Sequence, residues 1–317
     1  FVINKYDFLL PFWLIIVGDR MKITINTNRR FFLIAFTSFA ASTVFSSCSS
    51  PQNNSAANTT ANSSAAPVAD KSTTAAKDKI KVGVTPVPAG EILEFVKKNL
   101  ASEAGLDIEI VTFNDFVQNN TALKDGVIDA NYFQHIPFME DYSKKHNFEM
   151  YAFTPQIHLN PVGIFSKKYK SIKDVPNKAL VSIPDDVSNA HRALKVLEES
   201  GLIKLKPNVR PASPKDIIAN PKNIQIKEIP GAQAIPTLPD VDLAGVTGNW
   251  IVQAGLKTDK DALALESAND PIYAVTITTL KGKETDPRIQ KLYKLLRDDK
   301  VKQFIKDKYQ GAVLPIP

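Results

Sequence analysis

Ile80-Lys81-Val82-Gly83-Val84, then residues 92–100, then Leu106-Asp107-Ile108-Glu109-Ile110-Val111 set out a strand, a helix and a second strand. The first and third segments alternate apolar and polar residues with the period of a strand, and the middle one has helical spacing. Strand-like segments recur at 148–153, 180–183, 224–229, 241–246 and 273–279, with helical stretches such as 190–199 between most of them. Alternating β and α elements predict parallel sheets with helices on both faces. Roughly 240 residues of this pattern suit two α/β lobes better than a single sheet. No internal repeat is visible.

Upstream of residue 78 the chain changes character. Met21 opens a short basic region with Lys22, Arg29 and Arg30, and an apolar stretch follows from Phe31 to Val44. That stretch is shorter than the roughly 20 residues of a membrane span and suits the core of a signal peptide. It ends at Phe45-Ser46-Ser47-Cys48, where small residues before a cysteine resemble a lipobox, with Phe45 in place of the usual smaller aliphatic residue. The expected division is residues 1–20 as surplus to the gene product, 21–47 as a lipoprotein signal peptide, and Cys48 as the lipidated mature N-terminus. Residues 49–77 are almost entirely Ser, Ala, Asn and Thr, too poor in apolar groups to offset ordering entropy. They read as a flexible tether with a reach of roughly 30 Å. The protein is thus expected outside the cytoplasm, anchored to the cell membrane.

Composition narrows the function. The formal charge is +6, but five basic and two acidic residues lie in the first 47, so half the excess sits in the segment expected to be removed. No concentrated basic run remains, which sets a nucleic-acid partner aside. Cys48 is the single cysteine, so no disulfide forms within the chain. No Gly-x-Ser-x-Gly and no phosphate-binding glycine loop occur, which disfavours an extracytoplasmic hydrolase and any other enzyme reading. His135, His158, His191 and Asp185 lack the tight spacing of a metal site, and no metal or cofactor is expected. A surface lipoprotein with a structural role is the rival from another class.

In open α/β sheets ligands bind beyond the carboxyl ends of strands. The loops there hold Phe113-Asn114-Asp115, Asp129-Ala130-Asn131-Tyr132-Phe133-Gln134-His135, Gln156-Ile157-His158, Asp185-Asp186-Val187-Ser188-Asn189 leading to Arg192, and Thr247-Gly248-Asn249-Trp250. Tyr132 and Phe133 also suit a plain core, His135 and His158 a structural hydrogen bond, and Asn249 turn chemistry. Arg192 is the most telling residue. With Ser188 or Asn189 as N-cap, it falls in the first turn against the positive end of the helix dipole, a conflict that a bound anion would remove.

At Asn131-Tyr132-Phe133-Gln134-His135-Ile136-Pro137 the sequence resembles the methionine-binding lipoprotein (NlpA) family of ABC importers. Further matches in the same order include Glu91-Ile92-Leu93-Glu94-Phe95-Val96, Gly201-Leu202-Ile203-Lys204-Leu205, Gly248-Asn249 and Lys308-Tyr309-Gln310-Gly311-Ala312-Val313. The resemblance implies a two-lobed periplasmic-binding-protein fold of type II that closes on methionine and docks on a transmembrane permease. Residues 79–162 plus 280–317 would form lobe one and 163–279 lobe two. It also implies a pocket of Tyr132, Phe133, His135 and His158, and a head-group site of Asn189, Arg192 and Asn249. Arg192 would pair the ligand carboxylate, and Asn189 and Asn249 would offer carbonyl oxygens to the ammonium. Tyr132 and Phe133, with Phe113, would surround the thioether. Asn160, Val162, His191 and Trp250 depart from the family's usual residues, which leaves open L-methionine, D-methionine, a methionine-containing dipeptide or another small amino acid.

Overall fold

The structure is a computed structural model that describes residues 77–267 and 270–317. The expected leader, Cys48 and nearly all of the tether lie outside the described residues. The chain runs through β1 (Asp78–Val84), α1 (Glu91–Asn99), β2 (Leu106–Thr112), α2 (Phe116–Lys124), β3 (Ala130–His135), α3 (Ile136–His146), β4 (Met150–Ala152) and β5 (His158–Leu159). It crosses to β6 (Val162–Phe165), β7 (Leu180–Pro184), α4 (Val187–Glu199), the short pair β8 (Lys204–Leu205) and β9 (Ile217–Ala219), and β10 (Gln225–Ile229). Next come β11 (Leu243–Thr247), α5 (Gly248–Gln253), α6 (Thr258–Asp261) and β12 (Ala262–Leu265). It returns through β13 (Ala274–Leu280), α7 (Pro287–Leu296), α8 (Asp299–Tyr309) and β14 (Leu314–Pro315).

Two sheets result. The first has the order β14-β5-β13-β3-β1-β2, with β4 beside β13; β1 is parallel to β2 and β3, and β13 is antiparallel to β3. The second has the order β10-β7-β11-β6-β12, parallel across β10, β7 and β11. Parallel neighbours need long crossovers, and helices supply them. Ile80, Val82 and Val84 of β1 are fully buried against Ile92, Leu93 and Val96 of α1 and Ile289, Leu292, Val301 and Ile305 of α7 and α8. Each such side chain contributes roughly 1.5–3 kcal/mol relative to exposure. In the second half, Ala190, Ala193, Leu194 and Leu197 recur at helical spacing on α4 and bury against β6 and β7. Among the described residues, no helix is long and apolar enough to cross a membrane.

Three expectations need correction. Residues 130–135, read as part of a loop, are the fully buried strand β3, whose Asn131 and Gln134 hide the period-two pattern. Strand β13, expected in the second lobe, hydrogen-bonds to β3 in the first sheet. The chain therefore passes between sheets after Leu159 and again after Leu265, not at 279. Helix α4 begins at Val187 with Asp186 as its N-cap, the carboxylate accepting from the Asn189 amide at 2.9 Å, so neither Ser188 nor Asn189 is the cap.

Candidate functional site

A small cavity lies where the two crossovers meet the ends of β3 and β11 and the start of α4. One wall is apolar, from Phe116, Phe133, Phe138 and Val275. The rest is polar, from Gln134, His135, Asn160, Asn189, Arg192, Thr247, Asn249 and Tyr273. The pairing of β3 with β13 explains how three consecutive residues reach one cavity. Between the pairs Tyr132–Ile277 and His135–Val275, two residues of β3, Phe133 and Gln134, face one of β13, Thr276. Such a bulge re-aims side chains that a regular strand would send to opposite faces. Behind it Asn120, Asn131 and Gln134 satisfy one another, with the Gln134 amide donating to Asn120 Oδ1 at 2.8 Å and accepting from Asn120 Nδ2 at 2.9 Å.

Asn189 sits at the centre of the polar wall. Its Oδ1 accepts from Arg192 Nη1 at 2.9 Å and lies 3.2 Å from His135 Nε2. His135 Nδ1 accepts from the Phe138 amide at 3.2 Å, so in the neutral ring the Nε2–H donates to Asn189. Burial, with Arg192 nearby, pushes the His135 pKa down to about 3 and keeps the ring neutral. Asn189 Nδ2 donates to Asp186 Oδ2 at 3.1 Å, which fixes the amide's orientation. Burial raises the pKa of the Asp186 carboxyl.

Arg192 is buried and almost fully engaged. Its Nε and Nη2 grip Glu266 at 2.9 and 2.6 Å, and Nη2 also donates to the Asn160 carbonyl at 2.7 Å. Its guanidinium lies 4.9 Å from the Tyr273 ring centre. The sixth residue of α4, it stands in the second turn, and its charge is met by Glu266 inside the protein. The expected conflict with the helix dipole is therefore absent. One Nη1 hydrogen remains for another acceptor.

Two buried amide atoms on this wall lack a close hydrogen-bond partner among the described residues: Asn160 Oδ1, an acceptor that stands beside the His158 ring, and Asn249 Nδ2, a donor. Asn249 Oδ1 accepts one hydrogen bond, from Thr247 Oγ1 at 2.7 Å, and Asn189 Oδ1 accepts two, from Arg192 and His135. Asn189 Oδ1 thus has both lone pairs engaged, whereas Asn249 Oδ1 keeps one, and Asn160 Oδ1 adds a further acceptor. Gly248 permits this neighbourhood, because a Cβ there would stand 2.9 Å from the Pro161 carbonyl and 3.1 Å from Asn160 Cα.

Of the expected residues, Phe133, His135, Asn189, Arg192 and Asn249 line the cavity together. Tyr132 and His158 do not. They are buried beside it as a pair, with hydroxyl and Nδ1 2.5 Å apart, and burial pushes the His158 pKa down to about 3. Phe113 packs in the apolar cluster of Leu123, Ile128 and Met139 rather than on the cavity. The aromatic wall instead comes from Phe116 and Phe138, whose rings lie 5.5 and 6.0 Å from Phe133. His191 accepts from the Ala212 amide at 3.1 Å and does not line the cavity. Among the described residues no group of three or more His, Cys, Asp or Glu side chains is arranged to hold a metal.

Two α/β lobes joined by two crossovers, with a mixed polar and aromatic cavity between their sheets, define a two-lobed solute-binding protein. The chain belongs to the NlpA lipoprotein family, whose model matches residues 80–317. It is 35% identical over 252 residues to the methionine-binding lipoprotein MetQ of Bacillus subtilis (strain 168), an alignment spanning 78% of this chain and 92% of that protein. The D-methionine-binding lipoprotein MetQ of Salmonella typhi is 33% identical over 239 residues, 74% of this chain and 87% of its own length. The structure of a nutrient binding protein from Burkholderia cenocepacia bound to methionine superposes with a TM-score of 0.71 at 38% identity, covering 74% of this chain and 99% of that one.

Proposed function

We propose that this protein captures methionine outside the cytoplasm and delivers it to an ABC importer, held at the membrane by a lipid on Cys48. The observation that carries the reading is that two residues lining one cavity, Asn160 and Asn249, hold buried amide atoms with no close hydrogen-bond partner, an acceptor and a donor. An orphaned buried donor or acceptor costs about 1–3 kcal/mol, so the wall gains when a ligand supplies the complement. An α-amino acid does so: its ammonium donates to Asn160 Oδ1, and its carboxylate accepts from Asn249 Nδ2 and the remaining Arg192 hydrogen. The rings of Phe116, Phe133 and Phe138 suit a polarisable thioether, with sulfur roughly 5 Å from a ring. Relatives named for binding methionine and D-methionine support the ligand class, and the lipoprotein names of the family support the anchor. Closure of the lobes on ligand would present the form that the permease recognises.

Equilibrium dialysis of the purified protein, unfolded and refolded to remove host ligand, tests the reading. Labelled methionine should be retained, and an excess of unlabelled alanine should not displace it. Retention of labelled alanine in preference to methionine overturns the ligand. For the anchor, Cys48→Ala should abolish incorporation of labelled fatty acid, and continued incorporation would overturn it.

A further inference from the structure

Glu266 stands on the second crossover and is absent from the cavity lining. Its carboxylate takes the Arg192 guanidinium side-on through Nε and Nη2. Oε2 also accepts from the Val162 amide at 2.9 Å, while the Glu266 amide donates to the Val162 carbonyl at 2.8 Å. This carboxylate is therefore fixed in the joint where both crossovers meet. The paired side chains are 2% and 14% exposed for Arg192 and Glu266.

The consequence is charge. Arg192 is the one ionised side chain in the cavity wall among the described residues, since burial keeps His135 neutral. Asp186, behind Asn189, is bound by Ser188 Oγ and by both nitrogens of Asn189 at the N-terminus of α4. Arg210, also over Tyr273, is paired with Asp270. Glu266 thus cancels the positive charge that Arg192 would otherwise present to the cavity. A buried ligand is tolerated in such a wall only when its own charges cancel as well.

We infer that Glu266 determines the charge class of the ligand: by neutralising Arg192 it makes the cavity select zwitterions of zero net charge and reject anionic or cationic analogues with the same side chain. Glu266 does not line the cavity and acts through Arg192, so it is a positioning and charge-setting residue. The inference rests on the methionine reading and adds the rule by which related molecules are excluded.

The test is calorimetric titration of the purified protein with methionine, N-acetylmethionine, which is singly negative, and methioninamide, which is singly positive. The wild type should bind methionine most tightly. Glu266→Gln leaves Arg192 uncompensated, so the affinity ratio of N-acetylmethionine to methioninamide should rise at least about tenfold relative to wild type. Glu266→Asp should restore the wild-type ratio, and Arg192→Gln should lower it. Differences in ligand size cancel, because each ligand is compared with itself across variants. A purely structural role would weaken all three ligands by one factor; an unchanged ratio in Glu266→Gln overturns the inference while leaving methionine binding intact. If Glu266→Gln fails to unfold cooperatively, Arg192→Gln decides, and an unchanged ratio there overturns it too. A wild type that binds none of the three overturns the methionine reading and this inference with it.

Discussion

In the proposed recognition Asn249 and Asn160 each act through one buried amide atom that lacks a close partner. Asn249→Ala removes the donor facing the ligand carboxylate. Methionine affinity should fall by about 1.5–3 kcal/mol, the range for hydrogen bonds to charged groups, while ligand-free stability changes less, because removing the unsatisfied donor offsets loss of the hydrogen bond from Thr247 Oγ1. Calorimetry and thermal unfolding of one preparation check both halves. His135 and His158 give a second prediction. Burial lowers both pKa values from the ordinary 6.5 to about 3, so the unfolded chain binds protons that the folded chain refuses. Their stabilisation is complete above pH 6.5 and is lost as pH falls towards 3, with a limiting slope of about 1.4 kcal/mol per pH unit for each ring. Asp186, with its raised pKa, acts in the opposite sense at the acid end. Denaturant unfolding across this window should show the slope, and His135→Asn should make it shallower; an unaltered slope would show that His135 titrates alike in both states. Asn189, Arg192 and Asn249 were legible as cavity-lining candidates because they follow strand ends, whereas Phe133 and His135 reach the cavity from strand β3 itself. Asn160 and Glu266 were not legible, since each sits on a crossover whose position depends on how the two sheets pair.

At the scale of elements, the site depends on an irregular strand and a close approach. Strand β3 was hidden in the sequence because polar Asn131 and Gln134 are satisfied by Asn120, a partner on another element that no local pattern reveals. Its bulge also explains why Tyr132, expected in the pocket, packs on His158 while Phe133, Gln134 and His135 reach the cavity. By contrast, the β1–α1–β2 reading holds because its periodicity reflects burial on one face. The start of α5 depends on Gly248. Gly248→Val would push the helix away from Asn160 and Pro161, separating the donor of Asn249 from the acceptor of Asn160. Methionine affinity should drop more than for Asn249→Ala, because both atoms move; an affinity equal to wild type would show that the approach is not required. Asp186→Ala should destabilise the protein by about 1 kcal/mol through loss of the α4 cap, and weaken binding further by freeing Asn189.

Across the whole molecule, the two lobes meet at Phe116 of α2 and Trp250 of α5, whose rings stack 5.6 Å apart. Such a pair is worth roughly 0.5–1.5 kcal/mol beyond its buried area. Parting the lobes would break it, so the emission of Trp250 should report closure: adding methionine to ligand-free protein should give a saturable shift, and Phe116→Leu should reduce it. The two-lobed plan was legible from alternating β and α segments. The membership of β13 was not, because a strand's sheet is set by the partner across from it rather than by its own sequence. The cavity is proposed to hold a methionine zwitterion. Calorimetric titration of refolded, ligand-free protein with L- and D-methionine tests it most directly. The account predicts saturable heat for at least one enantiomer, abolished or strongly weakened in an Asn160→Leu, Asn249→Leu double variant that still unfolds cooperatively. Heat that is undiminished in that variant, or absent for both enantiomers in the wild type, would contradict it.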